Sequence, residues 1–148
     1  MSLITEKLRV SYAQRQVIDG LDLTLPTGKV SVLIGSNGCG KSTLLKAMAR
    51  LLTPQSGAVT LDGMDIHASA SAKVARKLAI LPQTPVAPEG ITVRQLVSLG
   101  RFPYQNWLRQ WSVEDDHHVD EALRLTATTA LQHRLVEALS GGQRQRVR

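Results

Sequence analysis

A chain of 148 residues has room for one domain at the usual ~100–200 residues each, and with 43% hydrophobic and 20% charged residues it has a globular rather than a disordered profile. Aromatics are only 3%, which leaves Leu, Val, Ile and Ala to build the core and suits α/β layer packing. The net charge of +6 is spread along the chain rather than gathered in a nucleic-acid stripe, the single Cys39 excludes a disulfide framework and argues against a zinc site, and neither a bilayer-length apolar run nor a signal peptide is visible, so a soluble cytoplasmic chain is expected.

In chain order, Leu21, Leu23 and Leu25 alternate with Asp22 and Thr24, the period-2 pattern of a half-buried strand. Pro26-Thr27-Gly28-Lys29 supplies a turn, and Val30-Ser31-Val32-Leu33-Ile34 is the nearly continuous apolar run of a central parallel strand. After a glycine-rich stretch, Ser42 to Leu52 reads as a helix with Leu44, Leu45, Met48, Leu51 and Leu52 on one face and Pro54 just beyond its end. Ala58 to Leu61 before Asp62-Gly63 reads as a strand and turn. Ser71 to Lys77 is a further amphipathic helix, leading into a short strand Leu78 to Leu81.

From residue 90 the pattern turns helical. Thr92 with Gln95, and Ser112 with Asp115, each have capping-box spacing; Gly100 is a natural stop, and Val119, Ala122 and Leu123 continue an apolar face. Arg101 to Trp111 reads as a loop of unusual aromatic content. The adjacent His117 and His118 lack metal-ligand spacing and read as a solvated helix face.

Gly35-Ser36-Asn37-Gly38-Cys39-Gly40-Lys41-Ser42 matches G-x-x-x-x-G-K-[ST]. Such a loop curls around phosphate oxygens with successive N–H groups aimed inward, and glycine permits the close approach. The helix that follows adds its positive N-terminal end. Lys41 is placed to reach the β- and γ-phosphates, and the Ser42 hydroxyl to ligate Mg²⁺. A bare turn is the competing reading, but a chance match in a chain this long is roughly half a percent, and a buried strand before and an amphipathic helix after it fit phosphate binding. Cys39 reads as a small loop residue.

Leu139-Ser140-Gly141-Gly142-Gln143 opens a second helix after glycine; alone, it reads equally as an ordinary N-cap at Ser140. Paired with the phosphate loop, it resembles the nucleotide-binding domain of ATP-binding cassette (ABC) proteins, whose signature motif is LSGGQ. The resemblance runs from Leu3 to Arg148. It implies a P-loop NTPase (RecA-like) α/β core with an N-terminal antiparallel β-subdomain and an α-helical subdomain, incomplete at the C-terminus. The expected divisions are 1–89 for the β-subdomain and core, 90–139 for the helical subdomain and 140–148 for the start of the signature helix. Nucleotide contacts carry over onto Gly35 through Thr43, onto Tyr12 as the A-loop aromatic that stacks on adenine, and onto Ser140, Gly141, Gly142 and Gln143 across a dimer of such domains. Gln83, in Leu81-Pro82-Gln83, matches the Q-loop glutamine that approaches Mg²⁺ and the attacking water.

Gly38 to Leu45, Pro88 to Val93, Gly100 to Tyr104 and Ser140 to Arg146 look like importer ATPases for iron–siderophore complexes, a group that also serves haem and cobalamin. The resemblance then implies an ATPase at the cytoplasmic face of the membrane, with ATP and Mg²⁺ as cofactors and no nucleic-acid partner. Its implied partners are transmembrane permease subunits, a second nucleotide-binding domain and, indirectly, a periplasmic or lipoprotein substrate-binding protein. Gly100 to Trp111 falls where such proteins meet their membrane partners; packing within the helical subdomain is the alternative. No Walker B Asp, catalytic Glu or switch His follows the signature, and His67, His117, His118 and His133 all precede it. The 148 residues alone are therefore expected to be inactive in turnover, as the first part of a larger protein or as a truncated product. A soluble ABC ATPase without a transport role, and a fragment that only binds nucleotide, remain open beside the importer reading.

Overall fold

The computed structural model describes residues 2–13, 15–83, 87–106 and 110–147. The chain divides into two compact units, Met1–Ala79 and Ile80–Arg148.

In the first unit the N-terminal hydrophobic alternation makes strands β1 (Leu3–Tyr12) and β2 (Arg15–Leu25). They pair antiparallel in a register running from Leu3 opposite Leu25 to Tyr12 opposite Arg15. β3 (Ser56–Leu61) and the short β4 (Met64–Asp65) complete a four-stranded antiparallel sheet of order β2-β1-β3-β4. The Asp62-Gly63 turn forms as read, both residues at positive φ. One glycine is forced by packing: Gly57 sits at φ +84 opposite a bulge at Lys7, where any Cβ would run into the Glu6 and Lys7 carbonyls.

Helix α1 (Lys41–Met48) lays Leu44, Ala47 and Met48 into a core shared with Leu8, Val10 and Ile18 of the hairpin and with Val59, Leu61 and Ile66. It stops four residues short of the predicted end. Arg50 takes φ +63, and the N–H groups of Leu51 and Leu52 both return to the Lys46 carbonyl, closing the helix before Leu51 can join its face. Leu45 and Leu51, expected on the buried stripe, are exposed. Helix α2 (Ser71–Ala75) is likewise shorter than read and buries only Val74.

The predicted strands Val30–Ile34 and Leu78–Leu81 do not form. Val30 is 93% and Ile34 89% exposed. A parallel strand needs hydrogen-bonding neighbours on its edges and helices on both faces. Among the described residues no extended segment pairs with either run, so high apolar content alone does not produce a strand there.

The second unit is helical. Helix α3 (Val93–Ser98) begins at the predicted capping box, with Thr92 and Gln95 bonded reciprocally, and runs into a 3₁₀ segment, Leu99–Tyr104. Helix α4 (Val113–Leu125) begins at the second box, Ser112 and Asp115, and carries Glu114, Asp115 and Asp116 at its positive end. Two 3₁₀ turns, Thr129–Leu131 and Val136–Ala138, lead to α5 (Gly141–Val147). Val93, Val119, Leu123, Val136, Leu139 and Val147 form this unit's own core. Among the described residues no helix is long and apolar enough to cross a membrane.

Candidate functional site

A cavity of about 530 Å³ opens where the end of the β1–β2 hairpin faces the glycine-rich loop. Of the sequence-predicted residues it gathers Tyr12 and every loop position from Asn37 to Thr43. Gly40 makes the transition from loop to helix at φ +96, and a Cβ there would press on Val17 at 3.2 Å. Its carbonyl accepts the first helical bond, from Leu44 N–H. The first-turn amides of α1 therefore have no partner within the helix and are available to an anion.

Gly35 and Ser36 contribute through their carbonyls. The Lys41 ammonium donates to Gly35 O at 2.8 Å and Ser36 O at 2.6 Å, and lies 3.5 Å from Cys39 Sγ. These contacts fold the loop around the lysine and hold its charge at the centre of the curl. Among the described residues the cavity lining holds two cations, Lys41 and Arg15, and no carboxylate. Amide donors, a fixed ammonium and an exposed aromatic at the rim suit a ligand with a phosphate chain at one end and a flat base at the other. The Ser42 hydroxyl, exposed at the start of α1, is an oxygen donor suited to Mg²⁺. Sequence reading missed Arg15, Gln16 and Val17, which line the same cavity; the signal lay in the hairpin pairing that sets Arg15 opposite Tyr12.

In the second unit Gln83 is exposed on an irregular segment. Ser140 caps α5 as part of a third capping box: Gln143 N–H donates to Ser140 Oγ at 3.4 Å, and Ser140 N–H donates to Gln143 Oε1 at 3.1 Å. Gly141 and Gly142 are exposed, and a Cβ on either would meet open space. Arg144 ties this start back by donating to the Glu137 and Leu139 carbonyls.

The first residues of the predicted aromatic loop, Arg101 to Tyr104, belong to the 3₁₀ segment; Trp107, Leu108 and Arg109 lie outside the described residues. Arg101 donates to the Asp115 carboxylate at 2.8 Å and lies over the Tyr104 ring at 4.0 Å. The Asp115 side chain is only 2% exposed, and the bonds from Arg101 and Ser112 hold its pKa below the ordinary carboxylate value. Arg94 bridges α3 to Asp116 and Asp120 of α4, which raises its own pKa, while bonds from Trp111 and Arg94 lower that of Asp116. This ionic frame fixes the turn from which Phe102 projects, 66% exposed.

Residues 18–148 match the family model described as ABC transporter. The chain is 66% identical over 148 residues to the achromobactin transport ATP-binding protein CbrD of Dickeya dadantii, covering 99% of this chain and 55% of that protein. It is 44% identical over 141 residues to the ferric enterobactin transport ATP-binding protein FepC of Escherichia coli, covering 95% of this chain and 52% of the other. A solved ATP-binding subunit of an ABC transporter superimposes with a TM-score of 0.81 at 25% identity, over 99% of this chain and 59% of that one. The chain thus spans about half the length of the curated relatives it matches. Its glycine-rich loop and LSGGQ helix stand in a chain matched from Ile18 onward, and it belongs to the ABC transporter family, with the fold of that family's ATP-binding subunits.

Proposed function

We propose that the chain is the nucleotide-binding part of an importer ATPase that couples ATP binding and hydrolysis to uptake of iron–siderophore-type substrates. The carrying observation is the cavity that Tyr12 shares with the Asn37–Thr43 loop. Adenine would stack on Tyr12, the first-turn amides and Lys41 would hold the phosphates, and the Ser42 hydroxyl would hold Mg²⁺; the family resemblance gives Gln83 a part in ligating Mg²⁺ as well. Bound Mg²⁺ neutralises charge developing on the phosphate oxygens. Lys41 exchanges loop carbonyls for phosphate oxygens, so binding and loop opening are one event. Ser140, Gly141, Gly142 and Gln143 act in trans, presenting the start of α5 to nucleotide held by a second copy.

The substrate class rests on the likeness to the achromobactin and enterobactin transport proteins. The same likeness supports a place at the cytoplasmic face of the membrane, against a permease pair served by a separate substrate-binding protein. The exposed Leu99 and Phe102 of the 3₁₀ segment, braced by Arg101 and Asp115, form a surface for that permease. The test is uptake of radiolabelled ferric siderophore in cells lacking the full-length protein, with and without its restoration. Loss and recovery of uptake are expected, together with co-purification of a permease. Unchanged uptake, or a protein that hydrolyses ATP with no membrane partner, contradicts the importer reading.

A further inference from the structure

We propose that Arg15 is a nucleotide ligand, its guanidinium taking the phosphate nearest the ribose when a base lies on Tyr12. The inference rests on the nucleotide-binding reading above and adds a residue to it. Directly paired residues of an antiparallel ladder project from the same face, about 5 Å apart at Cβ, and Tyr12 pairs with Arg15. Val17, unpaired at the register irregularity two residues along β2, lines the same cavity and is the side chain against which Gly40 closes, at 3.2 Å from a Cβ built there. β2 therefore leads from Arg15, directly opposite Tyr12, to Val17 beside the start of α1. Arg15, Tyr12 and the loop line a single cavity.

Charge points the same way. Lys41 is gathered into the loop by two carbonyls, whereas Arg15 stands on the hairpin opposite Tyr12. Among the described residues no side chain forms a hydrogen bond or ion pair with Arg15, which is exposed. The phosphate adjoining a base on Tyr12 carries a full charge, and a guanidinium matches its paired oxygens.

The experiment titrates ATP, ADP and inorganic tripolyphosphate into the full-length protein and its Arg15→Gln, Arg15→Lys and Tyr12→Ala variants, with denaturant unfolding of each apo form as a folding control. Arg15→Gln is expected to weaken all three ligands about five- to tenfold at unchanged stability, because each carries a phosphate at that position. Arg15→Lys should recover part of the loss, and Tyr12→Ala should weaken ATP and ADP while sparing tripolyphosphate. Unchanged affinities in Arg15→Gln overturn the proposal, as does a loss confined to ATP and ADP, which puts the side chain at the base. If the unsubstituted protein binds none of the three, the nucleotide reading itself fails and this inference with it.

Discussion

Replacing Gly40 by alanine tests whether the loop's shape, and not only its charge, makes the site. Gly40 stands at φ +96, ψ 1, a conformation that costs a residue with a Cβ roughly 1–2 kcal/mol. The new methyl carbon would also lie 3.2 Å from Val17 Cγ1 and 3.4 Å from the Val17 carbonyl, tighter than ordinary contact. Because Val17 lies between Gln16 and Ile18, both paired to β1, and its backbone carbonyl shares the contact, it yields little, and Gly40→Ala should destabilise the protein by about 2 kcal/mol. Gly38 isolates the backbone part: it sits at φ +81 with nothing within 4 Å of a Cβ, so Gly38→Ala should cost only about 1 kcal/mol. Relaxation of the strained residue re-aims the amides at the start of α1, so Gly40→Ala should also weaken ATP by more than tenfold. The assays are urea unfolding and calorimetric titration of the full-length protein. A Gly40→Ala variant as stable as the unsubstituted protein, with undiminished ATP affinity, refutes the loop geometry.

Tyr12→Ala should weaken ATP by on the order of 1–3 kcal/mol through lost base stacking, and equal losses for ATP and tripolyphosphate in the same titration would place Tyr12 in the fold instead. Asp115 has a folded pKa below its ordinary 3.8, so its ion pair with Arg101 adds stability above about pH 4 that is lost as the pH falls through the lower folded value. Asp115→Asn should therefore lower stability at neutral pH and flatten its acid dependence in urea unfolding followed against pH; an unchanged slope contradicts the ion pair's role. Gly141→Asp should leave ATP binding by the monomer intact and block ATP-dependent dimerisation in sedimentation of a hydrolysis-deficient full-length protein, since it sets a carboxylate against phosphate; normal dimerisation removes the trans role of the signature.

What was legible in the sequence was mostly local. The Thr92/Gln95 and Ser112/Asp115 boxes act over three residues, and both formed. The alternation of Leu21, Leu23 and Leu25 with polar residues likewise reports its own strand. Where the outcome depends on distant partners the reading failed: Val30–Ile34 is apolar enough for a central strand but forms no ladder. The end of α1 also misled, because a positive φ at Arg50, not the spacing of leucines, closes the helix. The loop residues that line the cavity were readable because glycine, lysine and serine at that spacing form a recognisable motif between strand-like and helical sequence. Arg15 was not, since its place beside Tyr12 comes from hairpin register, and its own neighbours in sequence give no sign of it.

The nucleotide site proposed for this chain stands or falls with the Gly35–Ser42 loop holding phosphates. Calorimetric titration of ATP with Mg²⁺ into the full-length protein and its Lys41→Ala variant tests it most directly, with unfolding curves confirming that the variant is folded. Measurable binding by the unsubstituted protein and its loss in Lys41→Ala are predicted, because the variant removes the charge facing the phosphates while keeping the loop glycines. A folded Lys41→Ala variant that binds ATP with undiminished affinity would contradict the account.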